Sequence, residues 1–194
     1  MSSGAGPNEF FEVLSDPKSP HHHDVDYLIG HVFSAEDGSR KVPSVGITEH
    51  GPQYVGKAHV AELFQQLFTT FPDLTLTPLA GAPWLESPGG DSPRTVGVQA
   101  VLAGRHHAKW FPQGHQFYSP PLSNIHPDKV HTMKVPAFAV FTLDGEDRIS
   151  QLALYLDRYR MMQQLTPSDA KNAPVDGSTV NVSAGKRITI TIEG

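Results

Sequence analysis

Between Gly56 and Pro72 the apolar positions Val60, Leu63, Phe64, Leu67, Phe68 and Phe71 fall three or four residues apart. That spacing puts all six on one stripe of an α-helix, which Pro72 ends. A stripe with three Phe needs a broad, concave apolar surface to pack on, and a curved sheet supplies one. Leu74, Leu76 and Leu79 then predict a strand. Beyond a Gly/Pro/Ser-rich turn at 87–93 the period is two: Val96, Val98, Ala100, Leu102, Gly104, His106, Ala108 and Trp110 alternate with more polar positions. A strand so patterned turns His106 to its apolar face and Arg105, His107 and Lys109 to the other. A bulge at Gly104 would reverse that assignment beyond it.

Residues 135–143 are an apolar run, fit for a strand covered on both faces, with Pro136 tolerable near its start. Residues 144–147 (DGED) form a hairpin turn, 149–156 pair back from it, and 158–165 read as a short helix. Near the N-terminus, residues 8–16 predict a short helix ended by Pro17. Residues 26–33 suit either a strand or a short helix. Helices followed by a run of antiparallel strands make the fold α+β, with the helices on one face of a curved sheet. Residues 167–178 read as a linker. Val180, Val182, Ile188, Ile190 and Ile192 alternate with polar positions in a terminal β-hairpin over 179–193. Two strands are not stable alone, so this hairpin must dock on the main sheet or on another subunit. The chain thus divides into a flexible stretch at 1–7, a domain at 8–166, and a linker with hairpin at 167–194.

Composition narrows the chemistry. The 194 residues hold no Cys, which excludes disulfides, thiolate zinc sites, iron–sulfur clusters and cysteine nucleophiles. A net charge of −5 argues against a nucleic-acid partner. No apolar run approaches the ~20 residues of a spanning helix and no signal-peptide pattern opens the chain, so the expectation is a cytoplasmic protein without a membrane partner. Gly and Pro, 17 each, cluster in the 87–93 turn and in the long loop at 111–134, whose length suits a lid.

Two residues are candidates for proton transfer. Asp157, at the end of the last long strand, is a general base if an apolar pocket desolvates it, or an N-cap of the helix that follows. His106 is a proton shuttle or a satisfied core histidine. Tyr54, Phe68, Trp84 and Trp110 are candidate pocket aromatics, and Tyr118 and His115 could reach over from the long loop. His21-His22-His23-Asp24 invites a metal, but adjacent loop residues rarely turn to one ion, and no metal site is assigned.

Four features in this order resemble the SnoaL-like polyketide cyclases of the nuclear transport factor-like superfamily. They are Gly51-Pro52-Gln53-Tyr54-Val55-Gly56-Lys57 leading into the Phe-rich helix; Phe71-Pro72-Asp73-Leu74 closing it; Ala103-Gly104-Arg105-His106, like the family's Gly-Thr-His; and Asp144-Gly145-Glu146-Asp147 with the strand ending Tyr155-Leu156-Asp157 and the helix ending Gln163-Gln164-Leu165. The resemblance implies a cone, a curved antiparallel sheet wrapped around helices with an apolar pocket inside, and a homodimer through the outer sheet face. It further implies aldol-type ring closure, or a related isomerisation or dehydration, without cofactor, on a small apolar or polyketide-like molecule. Carried over by motif, Asp157 is the acid/base and His106 assists. Substrate contacts are expected at Tyr54, Phe68, Trp84, Trp110, Tyr118 and Tyr155. The 111–134 loop, Arg105 in place of Thr and the terminal hairpin depart from the family pattern. The alternative is a non-catalytic ligand-binding or dimerisation module of the same fold.

Overall fold

The computed structural model describes residues 5–36, 42–47, 54–87, 93–106 and 131–165. Helix α1 (Ala5–Ser15) starts earlier than its apolar positions require. Pro7 sits in its first turn, where a missing N–H costs nothing, and Gly6 N–H donates to Asp147 O at 3.3 Å. Phe10, Phe11, Val13 and Leu14 are buried. The stretch the pattern left open is helical: α2 (Val25–Tyr27) runs into a π-helical turn, Leu28–Val32. Asp24 starts it by accepting Tyr27 N–H at 2.9 Å.

Strands β1 (Ser44–Ile47) and β2 (Tyr54–Val55) precede α3 (Lys57–Thr70), the Phe-rich helix. Then come β3 (Thr75–Pro78), β4 (Leu85–Ser87), β5 (Thr95–His106), β6 (His131–Leu143), β7 (Ile149–Leu156) and α4 (Arg158–Leu165). The seven strands form one open, curved sheet in the order β2-β1-β7-β6-β5-β3, with β4 also paired to β5. All pairings are antiparallel except β1 with β7, so the sheet is mixed rather than wholly antiparallel. β1 is only four residues long with a Gly inside it, too short for a period of two to mark it.

Val96, Val98, Ala100 and Leu102 of β5, Met133 to Phe141 at alternate positions of β6, and Leu152 and Leu154 of β7 are buried beneath α1 and α3. β6 begins at His131, earlier than expected, and carries Pro136 well inside it. Pro136 O accepts Asp157 N–H at 3.5 Å, so its missing N–H also faces the β7 side, where β7 ends. The ladder to β5 is therefore unbroken at Pro136. Past that point Gln164 of α4 takes over: its Oε1 accepts Lys134 N–H at 2.6 Å and its Nε2 donates to Lys134 O at 3.2 Å. One side-chain amide thus stands in for a strand partner on an open edge.

The C-terminal hairpin and most of the 111–134 loop lie outside the described residues.

Candidate functional site

His106 ends β5 on the covered face of the sheet and is 1% exposed. Register with β6 runs without a break from Thr95↔Thr142 to His106↔His131, so no bulge intervenes at Gly104. The imidazole meets the Phe71 ring edge-on, centroids 5.4 Å apart at 64°. Phe71 closes α3 by donating its N–H to Leu67 O, and Leu74 N–H returns to Phe71 O.

This turn lies on Gly104. A Cβ there would stand 3.4 Å from Leu74 Cα and 3.4 Å from Phe71 Cβ, so the turn packs closely on this glycine. Asp73 clasps the next residue twice: Oδ1 accepts Arg105 N–H at 2.7 Å and Oδ2 accepts Arg105 Nε–H at 2.6 Å. Partial burial pushes the Asp73 carboxyl up, but the bonds from Arg105 outweigh it and hold the group below its ordinary value. Two motifs separate in sequence, Phe71–Leu74 and Ala103–His106, are thus one structure. Arg105 is the arm that Asp73 grips, a role the alternation along β5 could not reveal.

Between α1, α3 and the sheet lies a cavity of about 20 Å³, measured as room for the centre of a water-sized sphere. That is space for about one water. Its thirteen lining side chains, among them Phe10, Leu63, Phe64, Leu102 and Leu154, are all apolar. None of the residues expected to hold a substrate is among them. Of the buried polar residues Ser34, Ser44, Thr70 and His106, only His106 belongs to the covered face of the long strands.

The remaining expected site residues are dispersed. Phe68 stacks flat on His23, centroids 4.2 Å apart. Trp84 meets Phe11 edge-on at 5.9 Å. Tyr54 packs on the core from β2, and burial followed by the Glu62 charge raises its phenol above the ordinary value. Tyr155 is 46% exposed on the outer face, opposite the face of Leu152 and Leu154 that walls the cavity. Trp110, Tyr118, His107 and His115 lie outside the described residues.

Asp157 caps α4. Its Oδ1 accepts Arg160 N–H at 3.0 Å, its Oδ2 is 3.6 Å from Arg160 Nε, and its carboxylate is 37% exposed. Its backbone meets β6 at Pro136, whereas His106 meets β6 at His131. Five residues of strand, about 16 Å, separate these levels, with β6 between the two strands. Among the described residues no group of three or more His, Asp or Glu side chains is placed to hold a metal ion. Asp24 in the His21-His22-His23 segment is spent on Tyr27 N–H and on His21, 3.6 Å away.

No protein-family model and no curated protein matches the chain. Solved structures do. A candidate polyketide cyclase from Pseudomonas putida KT2440 superposes with a TM-score of 0.58 at 14% identity, over 86% of this chain and 99% of that one. A protein of ketosteroid isomerase-like fold from Catenulispora acidiphila gives 0.54 at 13%, over 87% and 98%. A candidate SnoaL-like polyketide cyclase from Shewanella denitrificans gives 0.52 at 12%, over 82% and 93%. At such identities the likeness is one of fold, and it is the α+β cone that the sequence motifs implied. Among the described residues no helix is long and apolar enough to cross a membrane.

Proposed function

From a fold shared with SnoaL-like and ketosteroid isomerase-like proteins, we propose that this protein encloses a small apolar or polyketide-like molecule in the cone and exchanges a proton with it at His106. The observation that carries this is the pairing of an all-apolar interior with one buried imidazole at the end of the same strand face. An imidazole is the side chain whose unperturbed pKa suits proton transfer near neutral pH. An apolar surround strengthens its action on a developing enolate or alkoxide. The reaction class is aldol-type ring closure, or an isomerisation or dehydration by the same enolisation. In this reading Asp157 secures α4 rather than reaching the substrate.

Solvent exchange of the acidic protons in a panel of β-keto esters, followed by NMR in deuterated water, tests the proposal. Wild type accelerates exchange of at least one member, and His106→Gln removes the acceleration while the fold persists. Equal rates for the two proteins refute it.

A second reading, a binding module without chemistry, is favoured by the commitment of Asp157 to its helix. It gains if ligands bind and no exchange is catalysed. Either reading includes a homodimer through the outer sheet face, where Leu85 and Tyr155 are 56% and 46% exposed. Sedimentation of wild type and Tyr155→Glu checks this: the variant should sediment as a monomer, and an unchanged dimer would place the interface elsewhere.

A further inference from the structure

The cavity has one thin wall. Twelve of its thirteen lining residues are buried, and Leu67, near the end of α3, is the one that reaches solvent. Beside Leu67 sits Phe68, and on Phe68 lies His23.

His23 touches three segments at once. Its backbone N–H donates to Val13 O, at the end of α1, at 2.9 Å. Its ring stacks on Phe68, near the end of α3, at 9° to the Phe68 plane. Its Nε2 lies 2.8 Å from Leu74 O, just before β3. Leu14, Leu67 and Leu74, at or beside these contact points, all line the cavity. His22 stacks behind His23, centroids 3.9 Å apart. His23 has φ 58°, a left-handed conformation that a bulky side chain adopts only when its surroundings compensate.

A cavity with room for one water must widen to admit a ligand, since ligand pockets run to a few hundred Å³. The twelve paired rungs between β5 and β6 resist parting. At the seam Ser15 Oγ ties the end of α1 to Leu76 of β3 and Phe10 meets Phe64 deeper in, while the His23 ring bridges the ends of α1 and α3 to Leu74 on the solvent side.

We propose that His23 is the latch of an entrance to the cone: when its ring leaves Phe68 and Leu74, the ends of α1 and α3 part and an apolar molecule enters past Leu67. This rests on reading the interior as a ligand cavity.

The latch is also sensitive to pH. Burial is the largest influence on His23 and lowers its pKa, and the neighbouring His22 lowers it further. The Leu74 and Leu14 backbone and the Asp73 carboxylate oppose this, and the net is below the ordinary value. α1 and α3 face the ring with backbone and with Phe68, so His22 and Asp73 are the titratable groups acting on it. In the open form the imidazole is solvated and takes up a proton first. Opening therefore grows as pH falls below about 6.5 and levels off once the latched form is protonated too.

The test uses the full chain as wild type, His23→Ala and His23→Phe, at about pH 7.5 and about pH 5.5. Amide hydrogen exchange, corrected for intrinsic rates, reads seam opening, and stopped-flow association of the neutral dye N-phenyl-1-naphthylamine reads entrance. Leu102→Trp, which fills the cavity, marks the dye signal that belongs to it. His23→Ala should speed exchange over residues 67–74 and dye association about tenfold, the loss of one hydrogen bond and one stack, with β5–β6 amides unchanged. His23→Phe keeps the stack and should lose the pH dependence.

Unchanged exchange and association in His23→Ala overturn the latch while leaving the cavity reading intact. Dye that binds no variant, or binds Leu102→Trp equally well, overturns the cavity reading and the entrance with it. If His23→Ala does not fold, equal seam exchange in wild type at the two pH values overturns the latch.

Discussion

Asp73→Ala isolates the clasp that joins the turn after α3 to the end of β5. The substitution removes two acceptors at once, from Arg105 N–H and Arg105 Nε. Charge-assisted hydrogen bonds are worth about 1.5–3 kcal/mol each when shielded. Here the carboxylate is 40% and the guanidinium 59% exposed. Solvent therefore reduces the side-chain half to about 0.5 kcal/mol. The backbone half satisfies the Arg105 N–H at 2.7 Å, and its loss costs about 1–1.5 kcal/mol. Asp73→Ala should then cost about 2 kcal/mol, Arg105→Ala about 0.5, and Asp73→Asn, which keeps an acceptor, about 1. Urea unfolding with an unchanged m-value measures all three.

The pH dependence carries a sign. The Asp73 carboxyl is held below its ordinary value, so its contribution is fully present above the unfolded value near 4 and is lost as pH falls through the folded one. The gap between wild type and Asp73→Asn should narrow below about pH 4 and stay constant above about pH 5. A cost for Arg105→Ala equal to or above that for Asp73→Ala would refute the reasoning, because only the Asp73 variant frees the backbone N–H. So would a gap that widens in acid.

Three further outcomes follow from single contacts. Asp157→Ala should cost about 1 kcal/mol as a lost N-cap, and Asp157→Asn a few tenths. If Asp157→Asn instead abolishes a measured turnover at unchanged stability, the carboxylate has chemistry beyond the cap. Gly6→Ala would place a Cβ 2.6 Å from Asp147 O, so thermal unfolding should show a loss of about 1–3 kcal/mol as α1 shifts off the β6–β7 turn. Gln164→Ala should release the Lys134 amide to rapid hydrogen exchange and cost about 1 kcal/mol, while amides between β5 and β6 stay protected.

Much of the fold was legible because it is periodic. The stripe Val60 to Phe71 is α3, and the alternation Val96 to His106 is β5 with His106 correctly on the covered face. The β6–β7 hairpin and α4 fell where their turn and helix signals placed them. β1 was not legible, because four residues carry no period and its parallel partner lies about a hundred residues away. Nor was the π-helical turn at Leu28–Val32, whose apolar residues suit strand and helix equally.

The candidate site divides in the same way. His106 could be assigned to a face from its own strand. Asp157 could not be assigned to a role, because a carboxylate just before a helix offers capping and base chemistry through the same atoms. The Arg160 N–H at 3.0 Å shows that the cap is made, and the Asp157→Asn turnover measurement addresses the base role. Tyr155 shares a period with its strand, but which of the two faces is covered depends on where α1 and α3 lie. The clasp between Asp73 and Arg105 spans 32 residues, and the latch between His23 and Leu74 spans 51.

By itself, then, the sequence determined the long helix, the long strands and their apolar faces, since these follow from spacing along one element, and its motifs carried the resemblance that implied a cone. Tertiary structure alone decided which carboxylate grips which backbone, how small the apolar cavity between α1, α3 and the sheet is among the described residues, and which of its lining residues reaches solvent. Those depend on groups distant in the chain meeting at hydrogen-bond range, which no local pattern encodes.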